Sequence, residues 1–165
     1  MSDSDMDRTG HTQVNEDFTA FVDEVEPRLS YALTAAYGVE VGRESTADAM
    51  AYAWEHWPEL QAMDNPSGYL YRVGQSAARR HRRRSPLFPP VPASGMPDVE
   101  PGLPDALGKL SRLQRTAVIL LYALDWSERE AAELLGVDRS TVRRHRDRGL
   151  KKLRQALEVD GDGRP

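Results

Sequence analysis

Residues 127–154, SEREAAELLGVDRSTVRRHRDRGLKKLR, gather side chains whose types and spacing suit recognition of anions and base edges rather than catalysis. Ser127 and Glu130 form a capping box that opens a short helix, with Ala131, Ala132 and Leu135 inward. Gly136 permits a left-handed turn, Val137 plugs the junction, and Asp138 caps a second helix starting at about Arg139. This is the layout of a helix-turn-helix, whose second helix enters the major groove of DNA. On that helix Val142, Gly149 and Leu153 share the inward face. Arg139 and Thr141 lie at its start. Ser140, Arg144, Asp147, Arg148 and Lys151 lie outward, flanked by Arg143 and Arg154. Guanidinium groups so placed can take phosphates, or the O6/N7 edge of guanine in a bidentate pair. Arg146 falls on the inward face and must snorkel or find a partner. Asp147 would pair with Arg143 or Lys151 at i±4, or accept from a cytosine amine. An exposed basic helix without any nucleic-acid role is the plainer alternative.

A second basic cluster, Ala77–Arg84, ends an earlier helix. The helix dipole alone favours cations there. Tyr69 and Tyr71 lie just upstream, and aromatic faces beside arginines bind single strands by stacking plus phosphate attraction. Tyr69 is equally suited to a core. Catalytic and metal chemistry find little. His11, His56, His81 and His145 are scattered, with no metal-ligand spacing. Neither phosphate-loop glycine pattern occurs. Asp3–Asp7 fails as a calcium loop, with Arg8 and Val14 where glycine and glutamate are required, and Asp160–Asp162 has too few residues after it to complete one. With no cysteine, thiolate chemistry and disulfides are excluded. The reading is a binding protein, not an enzyme, with no cofactor and no metal.

Helices must position these residues. Phe18, Phe21, Val22, Val25, Leu29, Ala32, Leu33 and Ala36 recur at helical steps, with Pro27 expected to kink that helix or start a new one. A second helix is predicted over about 43–57, with Ala47, Met50, Ala51 and Trp54 inward and Pro58 ending it. A third starts at Asn65-Pro66, a good N-cap before a first-turn proline. Ser111 and Gln114 form another capping box. Seven prolines in residues 85–104 break regular structure and read as a linker. The fold expected is all-α: two small helical domains joined by a Pro-rich linker. Its parts are a disordered acidic N-terminus (1–15), a first domain (16–84), the linker (85–103), a helix-turn-helix domain (104–157) and a disordered tail (158–165).

The net charge of −4 hides its distribution. Residues 1–64 carry −11, residues 65–84 carry +6, and residues 108–157 carry +6. The basic stretches are where a phosphate backbone would bind. No apolar run approaches the ~20 residues of a membrane span, and the acidic start is no signal peptide, so no membrane and a cytoplasmic location are expected.

Both modules, over about residues 16–84 and 104–157, together resemble the extracytoplasmic-function group of sigma factors in the sigma-70 superfamily. LPDALGKLSRLQRTAVILLYALDWSEREAAELLGVDRSTVRRHRDRGLKKLR is similar to sigma region 4, and GRESTADAMAYAW and NPSGYLYRVGQSAARRHRRR are similar to parts of region 2. The resemblance implies minus-thirty-five recognition through Arg139, Ser140, Thr141, Arg143, Arg144, Arg148 and Lys151. It implies minus-ten recognition and melting through Tyr69, Tyr71, Arg72, Ser76, Arg79, Arg80 and Arg83. Tyr69 stands where the family usually has tryptophan, and Ser76 and Arg80 where it usually has asparagine and aspartate. Glu44 and Asp48 match acidic positions that bind the polymerase clamp, and Trp54 matches that helix's closing tryptophan. The implied partners are RNA polymerase core, promoter DNA and an anti-sigma factor. Two promoter elements lie about two helical turns, or ~70 Å, apart. A tether of ~25–60 Å plus the modules' widths bridges that distance. A DNA-binding regulator that does not itself initiate transcription is the alternative.

Overall fold

The computed structural model describes residues 3–81 and 102–161, with side chains from 12 to 81 and 102 to 158. The linker up to residue 101, Arg83 and the end of the tail lie outside the described residues. All regular structure among the described residues is helical.

The first module is built from α1 (Asp3–Tyr37), α2 (Val39–Glu55), α3 (Trp57–Gln61) and α4 (Pro66–Arg80). Val25, Leu29, Ala32, Leu33 and Ala36 form the buried stripe of α1, as their spacing predicts. Two expectations for α1 change. The helix begins at Asp3, so residues 3–15 are helical rather than a disordered arm. Polar side chains support this outer stretch: Gln13 donates to Asp17 (3.0 Å), and the Thr19 hydroxyl to the Asn15 carbonyl (2.8 Å). Pro27 lies inside the helix without ending it. Both Pro27 and Asp23, whose carbonyl loses its i+4 donor, sit on the solvent side.

In α2 the inward face is not the predicted one. Ala47, Ala51 and Trp54 are exposed, Met50 is half-buried, and Ser45, Thr46, Ala49 and Ala53 are buried. The buried hydroxyls are satisfied one turn back, Ser45 by the Val41 carbonyl (2.6 Å) and Thr46 by the Gly42 carbonyl (2.8 Å). Small residues are needed because α1 and α2 nearly touch. A Cβ on Gly42 would lie 2.6 Å from the Thr34 backbone. Trp54 rests edge-on against Phe18 at 5.0 Å and is otherwise outward.

The second module comprises α5 (Leu103–Gly108), α6 (Arg112–Val118), a π-helical turn (Ile119–Ala123), α7 (Glu128–Leu135) and α8 (Arg139–Gly161). The Ser111 and Ser127 capping boxes both form. One small cluster, Ala106, Leu110, Val118 and Leu153, ties α5 and α6 to α8.

The two modules share a core. Leu29, Leu33, Leu70 and Tyr71 belong to the same apolar cluster as Ala117, Leu120, Leu134, Leu135 and Val142. Polar contacts stitch the seam. Arg115, 3% exposed, donates to the Ala35 (2.7 Å) and Ala36 (2.6 Å) carbonyls at the end of α1. Asn65 donates to the Glu133 carbonyl (2.8 Å), Arg112 to the Tyr37 hydroxyl (2.8 Å), and Arg28 lies over the Trp126 ring (4.8 Å) and beside Glu130 (3.4 Å).

Candidate nucleic-acid interface

The helix-turn-helix assembles from short-range features. Ser127 accepts from the Glu130 amide (3.2 Å), while the Glu130 carboxylate accepts from the Ser127 amide (2.9 Å) and hydroxyl (2.7 Å). These bonds from Ser127, ahead of the Arg28 and Arg129 charges, hold the Glu130 carboxyl below its ordinary range. Gly136 takes φ 64°, the left-handed conformation that glycine adopts without cost, and Val137 N–H closes the turn onto the Ala132 carbonyl (3.1 Å). The chain then re-enters a helix at Arg139, with the Asp138 carbonyl accepting from Val142 (3.1 Å).

Val142 and Leu153 are buried, and Gly149 lies so close to α6 that an added Cβ would meet Val118 at 2.8 Å. This seats α8 with its opposite face outward. Arg139, Ser140, Arg143, Arg144, Arg148 and Lys151 are exposed on that side, and Thr141 is half-buried with its hydroxyl accepting from Arg144 (3.3 Å). Arg146 resolves its inward position by donating to Glu128 (2.7 Å) and Asp147 (2.9 Å). Asp147 therefore bonds its neighbour, not Arg143 or Lys151. Arg143 is held by Glu128 through Nε (3.2 Å) and Nη2 (2.8 Å). Burial, then the Arg144 and Arg148 charges, lowers the His145 pKa below its ordinary value.

The other basic segment lies on α4. Asn65 caps it, accepting from Gly68 N–H (2.8 Å), and Pro66 begins it. Arg72, Ser76, Arg79 and Arg80 are exposed along one side, and Tyr69 is half-buried with its hydroxyl 3.1 Å from that of Tyr52. Tyr71 departs from expectation. It is 3% exposed in the core, and burial drives its phenol far above the ordinary value. The phase of the helix, set by its buried Leu70, Gly74, Ala77 and Ala78, turns Tyr71 inward and leaves no face for a base to stack on.

Glu44 and Asp48 are tied to the end of α4. The His81 ring bridges them, Nε2 to Asp48 at 2.7 Å and Nδ1 to Glu44 at 3.3 Å, with Arg80 3.4 Å from Asp48. Two groups assigned separately from the sequence thus form one charge cluster. The His81 hydrogen bond, helped by Arg80, holds the Asp48 carboxyl below its ordinary range. A depressed folded-state value adds stability above the unfolded value of about 4 and loses it as pH falls through the folded one. Urea midpoints followed below about pH 5 should therefore fall more steeply for the natural chain than for Asp48→Asn. Parallel curves would show that the cluster carries no linkage.

Sequence reading missed Arg115 and Glu128. Arg115 had a signal, a lone charge inside the apolar run Leu113–Leu120. Glu128 had none, because its partners lie 15 and 18 residues away. Among the described residues no cluster of three or more metal-ligating side chains forms, and no helix is long and apolar enough to cross a membrane.

The family profile described as sigma-70, region 4, matches residues 102–153. The chain is also similar in structure to the sigma factor RpoE from Bartonella quintana, solved in complex with the anti-sigma factor NepR. The TM-score is 0.61 at 23% identity, over 88% of this chain and 99% of that one. No curated protein sequence matches the chain. Residues 102–153 thus match the sigma-70, region 4, family profile, in a chain whose overall fold is similar to that of the sigma factor RpoE.

Proposed function

We propose that the chain is a sigma factor of the extracytoplasmic-function type, a non-catalytic subunit that directs RNA polymerase core to promoters from the cytoplasm. The observation that carries this reading is the seating of α8: its apolar side is locked on α6, and its cationic side faces outward within a region 4 module. In this reading Ser140, Arg144 and Arg148 meet the minus-thirty-five element, with Arg139, Thr141, Arg143 and Lys151 around them. The α4 face of Tyr69, Arg72, Ser76, Arg79 and Arg80 handles the minus-ten strand without Tyr71, and Arg83, outside the described residues, is assigned to the same strand from the sequence alone. Glu44 and Asp48 meet the polymerase clamp, exchanging their present partners for it. An anti-sigma factor is a further partner, in keeping with the NepR-bound relative.

Reaching two elements ~70 Å apart requires the modules to part at their shared core, with the linker as tether. One observation favours the second reading, a regulator that binds duplex DNA without initiating transcription. The proposed clamp-binding acids are engaged inside the chain, by His81 and Arg80. Run-off transcription with purified core polymerase on genomic promoter fragments separates the two. Specific transcripts dependent on the chain support the sigma reading. Duplex binding without core binding or transcripts would establish the second.

A further inference from the structure

Glu128 is the first residue of α7, yet its carboxylate does most of its bonding to α8. Both oxygens are used: Oε2 accepts from Arg143 Nη2 (2.8 Å), and Oε1 accepts from Arg143 Nε (3.2 Å) and Arg146 Nη1 (2.7 Å). The Glu128 side chain is 23% exposed and that of Arg143 is 61% exposed. The pair therefore sits at the rim of the seam between the helices, with one edge of the guanidinium held and the other outward. A guanidinium has five N–H donors. Bidentate contact with Glu128 consumes the Nε–Nη2 edge and leaves the Nη1 end able to donate to a base. Its charge is meanwhile matched by a carboxylate within hydrogen-bond distance, which weakens its pull on a phosphate. Arg139, Arg148 and Lys151 have no carboxylate partner among the described residues.

We propose that Glu128 is a positioning residue, which withholds Arg143 from the DNA backbone and fixes its guanidinium for reading a base edge. The outward cations of α8 thereby divide into backbone-binding groups and oriented readers, with Arg143 the charge-matched one among the latter. Nonspecific duplex affinity is kept low without loss of a donor at the groove. This inference rests on the reading that α8 meets duplex DNA.

The test uses the full chain and a random-sequence duplex, with binding followed by fluorescence anisotropy across a salt series. Each phosphate neutralised adds about 0.9 to the salt slope. Glu128→Gln, which keeps the size but removes the charge, is expected to bind several-fold tighter at low salt, with a slope steeper by about one. Arg143→Ala added to Glu128→Gln should return the slope to that of the natural chain. Arg143→Ala alone should leave it unchanged. An unchanged slope in a folded Glu128→Gln chain overturns the inference. So does a shallower slope in Arg143→Ala alone, since Arg143 would then already contact phosphate; that arm stands even if Glu128→Gln fails to fold. If the natural chain binds no duplex, the DNA-binding reading falls and this inference with it. Duplex binding with the wrong slopes overturns the inference alone.

Discussion

Arg115→Met should lower the stability of the chain by roughly 3–5 kcal/mol, the cost typical of breaking a buried charged network from one side. It should also split a single unfolding transition into two. Arg115 satisfies helix ends from both modules at once: the Ala35 and Ala36 carbonyls of α1, and the Leu107 (3.4 Å) and Leu110 (3.1 Å) carbonyls around the end of α5. Carbonyls in the last turn of a helix have no intrahelical donor, and a cation there also meets the negative end of the dipole. Methionine keeps the apolar stem but supplies no donor, and although the Leu107 carbonyl keeps the Leu110 N–H (3.2 Å), each buried carbonyl left bare among Ala35, Ala36 and Leu110 costs about 1–3 kcal/mol. Burial, with the Arg112 charge adding to it, lowers the guanidinium pKa from its ordinary value, and the group stays charged, so its desolvation is offset by these carbonyl acceptors. Arg115→Lys should fall between, because a point charge cannot fork between two helix ends. Urea unfolding followed by tryptophan fluorescence reads the outcome, Trp57 reporting the first module and Trp126 the second. Coincident, unshifted transitions would show that the seam is held by apolar packing alone.

The same contrast between near and distant partners explains what was legible in the sequence. The capping boxes at Ser111 and Ser127, the Asn65-Pro66 start and the Gly136 turn are decided within four residues, and all form as read. The inward face of α8 was legible because Val142, Gly149 and Leu153 are apolar or small amid charged neighbours. The face of α2 was not, since its buried side is built of alanines and of hydroxyls satisfied one turn back. Apolarity there pointed instead to Trp54 on the outside. Tyr71 was misplaced for a related reason: a tyrosine suits a core or a stacking platform equally, and only the packing of α4 decides. The Arg115 and Glu128 networks join residues up to 80 positions apart, and no local pattern encodes a partner at that distance.

Replacing Arg144 and Arg148 together should abolish most sequence-selective binding, by on the order of 10²–10³-fold, with each change acting differently. Both side chains are exposed and lie one turn apart on α8, so their loss should change the unfolding free energy by no more than about 0.5 kcal/mol. Arg144 lies nearer the start of the helix, the part of a recognition helix that approaches base edges, and its bond to the Thr141 hydroxyl limits its rotamers. Arg144→Ala should therefore cost about 1–3 kcal/mol on a duplex selected from a random library, and little on random sequence. Arg148 has no such tether and lies a turn further along, where a helix docked in the groove would run toward the backbone. Arg148→Ala should weaken all duplexes alike and reduce the salt slope by about one. Equal losses on every sequence would make both residues phosphate ligands and leave base reading to Ser140 and Arg143. No loss from either would mean that α8 does not enter the groove, and the contact with duplex DNA would have to come from the arginine face of α4.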